Sequence, residues 1–168
     1  MSRLVLVLCI PLWIQGLAMF FDEFYYHHRR GLGKWERFGH PMDTLSVLIC
    51  YIFLFLFPFN LNNLAIFIGL SILSSLLVTK DEFVHVRECN AGESWLHSIL
   101  FILHPITFGC AGVLWYLMRT SSLDPIEIQK NTYFNYIMNI FISQILLILG
   151  FILYQIIYWG FLWKPASK

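Results

Sequence analysis

The sequence has little charge, little charge imbalance and no paired cysteine motif. Only 12% of its 168 residues are charged, whereas a soluble domain has roughly a quarter, so we exclude a water-soluble fold. The formal net charge of +1 produces no field that would attract a polyanion, and we expect no nucleic-acid partner. The four cysteines include no Cys-x-x-Cys pair, and three of them lie in apolar runs. This pattern excludes a disulfide scaffold.

Long apolar runs take the place of the missing charges. Hydrophobic residues make up 58% of the chain, the mean hydropathy is +0.68, and a bilayer crossing needs about 20 such residues in a row. We predict one all-α integral membrane domain, residues 1–168, with five transmembrane helices. Its parts are a hairpin over 4–59, a second hairpin over 62–118, a polar loop over 119–132 and a C-terminal helix over 133–163. A cleaved signal peptide is the alternative for the first run, which lacks an A-x-A site.

The polar residues are sorted to one end of these predicted helices. Five crossings place both polar connectors, predicted at 29–41 and 87–92, on the same side as the C-terminus. Eight of the eleven Lys and Arg residues fall on that side, which makes it cytoplasmic by the positive-inside rule. We therefore expect a multi-pass protein of a bacterial inner membrane, with its N-terminus outside and its C-terminus in the cytoplasm.

One short pattern occurs twice in the chain. The tripeptide Asp-Glu-Phe stands at 22–24 and again at 81–83, each time at the end of an apolar run. Each copy is followed by a histidine, a polar connector and a Glu-x-x-x-His motif that begins the next apolar run. We interpret the two copies as an internal repeat of one helical hairpin, related by an axis along the membrane normal. The C-terminal helix either covers the bundle or lines a substrate groove with Gln144 and Gln155.

The repeated residues are spaced for metal binding. Residues three or four apart share one face of a helix, and each of four predicted helix ends carries one carboxylate and one imidazole at that spacing. Imidazole and carboxylate together suit iron, manganese or zinc. Di-iron bundles use Glu-x-x-His on two helices, a motif that only Glu82 and His85 match here. We predict a site for two iron ions. Its predicted ligands are Glu23, His27, Glu36, His40, Glu82, His85, Glu93, His97 and His104.

The acidic residues also have simpler interpretations, which the sequence leaves open. Glu36 and Glu93 suit the first turn of a helix, where an acid interacts favourably with the helix dipole. Asp22 and Asp81 are typical ion-pair partners for the basic residues nearby. For that reason we leave both aspartates out of the predicted ligand set.

Two histidines and one cysteine also have more than one possible role. His28 suits the membrane interface as well as it suits a metal. His104 precedes Pro105 and could hydrogen-bond a carbonyl group that the proline frees, but an ionisable side chain at membrane depth is a functional candidate. Cys89 lies among acidic residues and could add a soft ligand or a reactive thiol.

The chemistry of these residues favours an enzyme. We expect a metal-dependent oxidoreductase, of the hydroxylase, desaturase or oxidase type, that acts on a lipid-soluble substrate and receives electrons from a soluble donor. The chain lacks the HxxxH and HxxHH boxes of the membrane desaturases and hydroxylases, so we assign it to no family. A divalent metal-ion transporter is the main alternative. A b-type haem protein with paired axial histidines and a non-enzymatic role in assembly stay open as well.

Overall fold

The described part of the chain is a bundle of five long helices. The computed structural model describes residues 3–120 and 127–164, and every regular element in them is helical. Each helix contains a stretch long and apolar enough to cross a membrane, which confirms the predicted number. The predicted polar loop lies partly outside the described residues, at 121–126. The helices are α1 (Arg3–Arg30), α2 (Lys34–Leu56), α3 (Leu61–Glu88), α4 (Ala91–Thr120) and α5 (Glu127–Ile157, followed by a π turn over Tyr158–Leu162).

The first connector is much shorter than predicted. Only three residues between α1 and α2 leave the helical conformation, so α2 begins at Lys34, well before the apolar run. Gly31 ends α1 with a φ of +76°, and a Cβ atom there would lie 2.6 Å from Cζ2 of Trp163. Glu36 accepts a hydrogen bond from the backbone N–H of Gly33 and so caps the start of α2. The polar residues of this region therefore stand on helix ends and not in a loop.

The second connector is shorter still. Cys89 and Asn90 alone separate α3 from α4. The Asn90 Oδ1 atom accepts a hydrogen bond of 3.0 Å from the backbone N–H of Glu93, as a helix-capping side chain does. Both Glu-x-x-x-His motifs thus begin in or near the first turn of a helix, where a carboxylate interacts favourably with the helix dipole.

The two copies of the predicted repeat have different backbones. In α1 the first copy forms a π turn over Asp22–His27, whereas in α3 the second copy begins at the last residue of a 3-10 turn over Val78–Asp81. A π turn widens the helix by one residue and occurs frequently at functional sites. Its two acids and its histidine are all buried, while Glu82, which follows the 3-10 turn, is exposed. Internal duplication stays a prediction.

The bundle has an apolar half and a polar half. α1 packs against α4, and α2 packs against both α3 and α5. A hydrophobic core fills the half that contains the start of α1 and the end of α4, and buried carboxylates and imidazoles fill the other half. The largest core residues are Tyr51, Leu54, Leu114, Trp115 and Phe141. Many large apolar side chains cover the outer surface, such as Leu17 (70% exposed) and Leu61 (81% exposed), a surface that suits lipid better than water.

Candidate metal centre

Four helices bring carboxylates and imidazoles together in the polar half of the bundle. Nine side chains, here called the ligand cluster, form four overlapping groups, and within each group the possible ligand atoms lie within 4.8 Å of one another. The groups are Asp22, His27, Glu93 and His97; Glu23, His27 and His40; Glu36, His40 and His85; and His85, Cys89 and His97. Seven of the nine predicted ligands are in this cluster. Metal binding itself stays a prediction.

In one of these groups, formed by Asp22, His27, Glu93 and His97, all four side chains are buried. The His27 Nε2 atom lies 3.3 Å from Asp22 Oδ2 and 3.9 Å from Glu93 Oε1. The His97 Nε2 atom lies 3.1 and 3.2 Å from the two carboxylate oxygens of Asp22. Asp22 and His27 stand five residues apart on α1, where the π turn brings both to one side, and Glu93 and His97 stand four residues apart on α4. Asp22 therefore lies at the centre of the group, although the sequence favoured an ion-pair role for it.

A neutral His27 ring would leave this group short of positive charge. Its Nδ1 atom lies 3.4 Å from Glu23 Oε2, so a neutral ring that donates its proton to Glu23 has only a lone pair on Nε2. That lone pair faces the Asp22 carboxylate, and two acceptors repel each other unless a cation or a proton lies between them. Among the described residues, His27 Nε2, His97 Nδ1 and Glu93 Oε2 are buried without a hydrogen-bond partner. The arrangement suits a bound cation.

The Glu23 carboxylate is held in place by the last helix. The indole N–H of Trp159 donates to Glu23 Oε1, and the side-chain amide of Gln155 donates to Glu23 Oε2 at 3.4 Å. Gln155 in turn accepts a 2.9 Å hydrogen bond from the hydroxyl of Thr44. A carboxylate that is fixed in this way and bonded to a ligand imidazole sets the orientation of the ring. The sequence analysis did not identify Trp159, because nothing in the sequence shows that α5 reaches α1.

Replacing Trp159 with phenylalanine should weaken metal binding by about 10–100-fold, the usual cost of removing an outer partner of a metal ligand. The substitution removes the N–H that donates to Glu23 and keeps an aromatic ring in the same place. Metal affinity can be measured by competition with a chromophoric chelator. Trp115→Phe is the matched control, because the Trp115 N–H donates at 3.0 Å to a backbone oxygen in the apolar half. Equal affinities in all three proteins would contradict the supporting role of Glu23.

Arg30 brings a positive charge into the ligand cluster, a role that the sequence analysis did not predict. Its guanidinium group forms two hydrogen bonds to the Glu36 carboxylate, of 2.6 and 2.9 Å, and two of 3.1 Å to Glu93 Oε1. It also lies 3.4 Å from a carboxylate oxygen of Glu88. Such two-pronged contacts to carboxylates are typical of arginine. The only sign of this in the sequence was a pair of arginines next to the first acidic motif.

The remaining members of the cluster lie beside this arginine. The His85 Nε2 atom is 3.7 Å from Glu36 Oε1, and the rings of His85 and His97 are 4.1 Å apart between centroids. The His40 ring lies 4.7 Å from the ring of His27. Burial raises the pKa of the Cys89 thiol, and a hydrogen bond to Glu93 raises it further, so the free thiol is favoured over the thiolate.

Two predicted ligands, Glu82 and His104, are not members of the ligand cluster. Glu82 has a half-exposed side chain, 3.9 Å from the Nδ1 atom of His85, and belongs to none of the four groups. His104 is buried deeper in the bundle, where its ring hydrogen-bonds Gln15 at 2.9 Å and Ser74 at 3.1 Å. The side chain of Asp81 lies outside the described residues.

A cavity adjoins the ligand cluster, and a groove adjoins that cavity. A cavity of about 100 Å³ is lined by four of its histidines and extends towards the apolar half as far as Gln15 and His104. A larger groove of about 560 Å³ lies between α1 and α5, and its lining is mostly apolar. Both openings are lined by Gln15, Met19, Thr44, Val47, His104 and Phe151. The groove therefore leads from the outer surface of the bundle to the cavity beside the ligand cluster.

No protein-family model, no curated protein and no solved structure matches this chain. Its function is therefore argued from the geometry and chemistry of its own side chains.

Proposed function

We propose that the chain is a multi-pass membrane oxidoreductase that uses a redox-active metal centre, of two iron ions, on a lipid-soluble substrate. One observation carries the proposal: a fully buried group of two carboxylates and two imidazoles lies at a cavity that connects with an apolar groove, and the groove opens on the outer surface of the bundle. The five apolar helices and the exposed apolar side chains support insertion in a membrane. The excess of basic residues at the cluster end supports a cytoplasmic position for the cluster.

The donor set fits a divalent transition ion. Carboxylate and imidazole ligands together suit iron, manganese or zinc, and Asp22, His27, Glu93 and His97 would hold the first ion. The buried His27 Nε2 and Glu93 Oε2 atoms, which lack hydrogen-bond partners among the described residues, are available to it. A second ion held by Glu36, His40 and His85 would compete with Arg30 for the Glu36 carboxylate.

The side chains around the cluster prepare it for redox chemistry. Iron, when bound, would supply one-electron chemistry and coordination positions open to a reactant. Glu23 fixes the ring of His27, and Trp159 and Gln155 fix Glu23. The packed helices limit the access of water, and the groove would admit an apolar substrate from the side. A soluble electron donor would approach from the connector end, where Arg30 and Glu88 lie near the surface.

The geometry favours this function over transport. An ion that entered through the ligand cluster would have to pass the hydrophobic core of the opposite half, which Tyr51, Leu54, Leu114 and Trp115 fill. These four side chains are at most 2% exposed, and none of them offers a charged ligand. A conducting path needs polar or charged lining groups along its length.

The geometry also favours this function over haem binding. Axial histidines would have to stand on opposite faces of a porphyrin ring. Here the ring centroids of His85 and His97 are 4.1 Å apart, and those of His27 and His40 are 4.7 Å apart. The cavity beside them, of about 100 Å³, is too small for a porphyrin.

The proposal predicts about two iron ions per chain and no Soret band in the protein purified in detergent after loading with Fe(II) in the absence of oxygen. Metal analysis and absorption spectra measure both. Addition of oxygen should change the spectrum of the loaded protein, and a chelator-treated sample should not respond. Absence of tightly bound metal, together with metal flux into protein-containing liposomes, would overturn the proposal in favour of transport, and a Soret band would overturn it in favour of haem.

A further inference from the structure

A directed chain of hydrogen bonds lies where the groove meets the cavity. The Ser46 hydroxyl donates to the backbone carbonyl of Asp43 at 2.7 Å, so in its 2.7 Å contact with Ser74 it must accept. Ser74 therefore donates to Ser46 and accepts the 3.1 Å hydrogen bond from His104 Nε2. The Nδ1 atom of a neutral His104 is then an acceptor, and it receives the 2.9 Å hydrogen bond from the amide N–H of Gln15.

This chain determines the orientation of the Gln15 amide. Since its nitrogen must donate to His104, its oxygen Oε1 is the free end, and Oε1 is buried without a hydrogen-bond partner among the described residues. Gln15 is only 6% exposed and lines both the cavity and the groove. A buried acceptor without a donor destabilises the folded protein. A ligand that donates a hydrogen bond to Gln15 Oε1 would remove this cost.

The groove selects the kind of ligand that carries this donor. Its volume of about 560 Å³ falls within the range of about 300–1,000 Å³ found for small-molecule sites. Five of its lining residues are aromatic, namely Trp13, Phe20, Tyr51, Phe108 and Phe151. Aromatic walls favour a flat ring. An anionic lipid would place its charge opposite the Gln15 oxygen, without a cation to compensate it in the groove lining.

We propose that the groove between α1 and α5 binds a quinol, with a ring hydroxyl that donates to Gln15 Oε1 and an apolar tail that lies along the exposed part of the groove. The oxidised quinone has only acceptor oxygens and cannot satisfy Gln15, so the reduced form is preferred. This inference deepens the proposed function by naming the class of lipid. Gln15 lies seven residues before Asp22 on α1, about 10 Å along the helix, so the ring would lie near the ligand cluster without contact to it.

The inference can be tested with a decyl-tailed hydroquinone, its dimethyl ether and 1-decanol, each titrated in the absence of oxygen and followed by tryptophan fluorescence. The hydroquinone should bind about tenfold more tightly than the ether, because it gains one net hydrogen bond. Decanol should bind more weakly than the hydroquinone because it lacks the ring. In the variant Gln15→Leu the hydroquinone should bind only as tightly as the ether. Equal binding of hydroquinone and ether to the unmodified protein, or of hydroquinone and decanol, would overturn the inference.

A second variant guards against loss of folding in Gln15→Leu. Leu147→Trp changes a lining residue that is 66% exposed, and it should weaken the binding of hydroquinone and ether alike by filling the groove. Unchanged binding of both compounds would overturn the assignment of their binding site to this groove. Metal content, measured on the same samples, separates this inference from the proposed function: quinol binding to a protein without metal would contradict only the proposed function, and metal without quinol binding only the inference.

Discussion

Substitution of His27 with alanine is expected to abolish tight metal binding. His27 belongs to two of the four ligand groups, and its Nε2 atom faces the carboxylates of Asp22 and Glu93. Loss of an outer partner of a ligand already costs about 10–100-fold in metal affinity, and we expect the loss of this ligand to cost more. The metal content of the detergent-purified variant, measured after loading with Fe(II) and gel filtration, tests the expectation.

The neighbouring histidine is the matched control for this experiment. His28 hydrogen-bonds the hydroxyl of Tyr154 at 2.7 Å and belongs to none of the ligand groups. His28→Ala should therefore retain the metal content of the unmodified protein. A second ligand variant, His97→Ala, should behave like His27→Ala, because His97 contacts Asp22 from α4. Full metal content in both His27→Ala and His97→Ala, with helix content unchanged, would remove these residues from the site.

Substitution of Arg30 with methionine is expected to destabilise the metal-free protein strongly. The side chains of Glu36 and Glu93 are at most 1% exposed, and the Arg30 guanidinium group neutralises both. Removal of one partner from a buried ion pair usually costs about 3–5 kcal/mol, because the other charge stays buried without compensation. Bound metal should restore part of the loss, since it binds the folded state and supplies positive charge. The free energy of unfolding in detergent, measured with chelator and with Fe(II), gives both quantities.

Arg29 provides the control for the Arg30 variant. Its guanidinium carbon lies 3.8 Å above the ring of Tyr25, outside the ligand cluster. Arg29→Met should change the free energy of unfolding by far less than Arg30→Met, with or without metal. The explanation would be wrong if the two variants lost equal stability, or if Fe(II) failed to stabilise Arg30→Met more than it stabilises the unmodified protein.

Much of the ligand cluster could be predicted from helical spacing. Glu36 with His40 and Glu93 with His97 are each four residues apart, and each pair faces the interior from the start of its helix. Spacing also places the Glu82 carboxylate 3.9 Å from His85, but this side chain is half-exposed and belongs to none of the four groups. A 3-10 turn precedes Glu82, and no residue type in the sequence signals that turn.

The roles that the sequence analysis missed depend on contacts between distant parts of the chain. Asp22 enters the cluster because the backbone of α1 widens into a π turn. Trp159 and Gln155 matter because α5 returns to the end of α1 and bonds Glu23 there. Arg30 matters because α4 brings Glu93 within reach of the same guanidinium group that binds Glu36. Neither periodicity nor composition contains this information.

Hydropathy and residue spacing were enough to establish an all-helical chain with five helices long enough for a membrane, and to indicate which faces carry imidazoles and carboxylates. Both properties are local, because they depend on residues within a few turns of one helix. The packing of separate helices settled which acids are neutralised by Arg30, which orient an imidazole and which face water. These outcomes depend on distances of a few ångströms between side chains on different helices, and only the assembled bundle sets them.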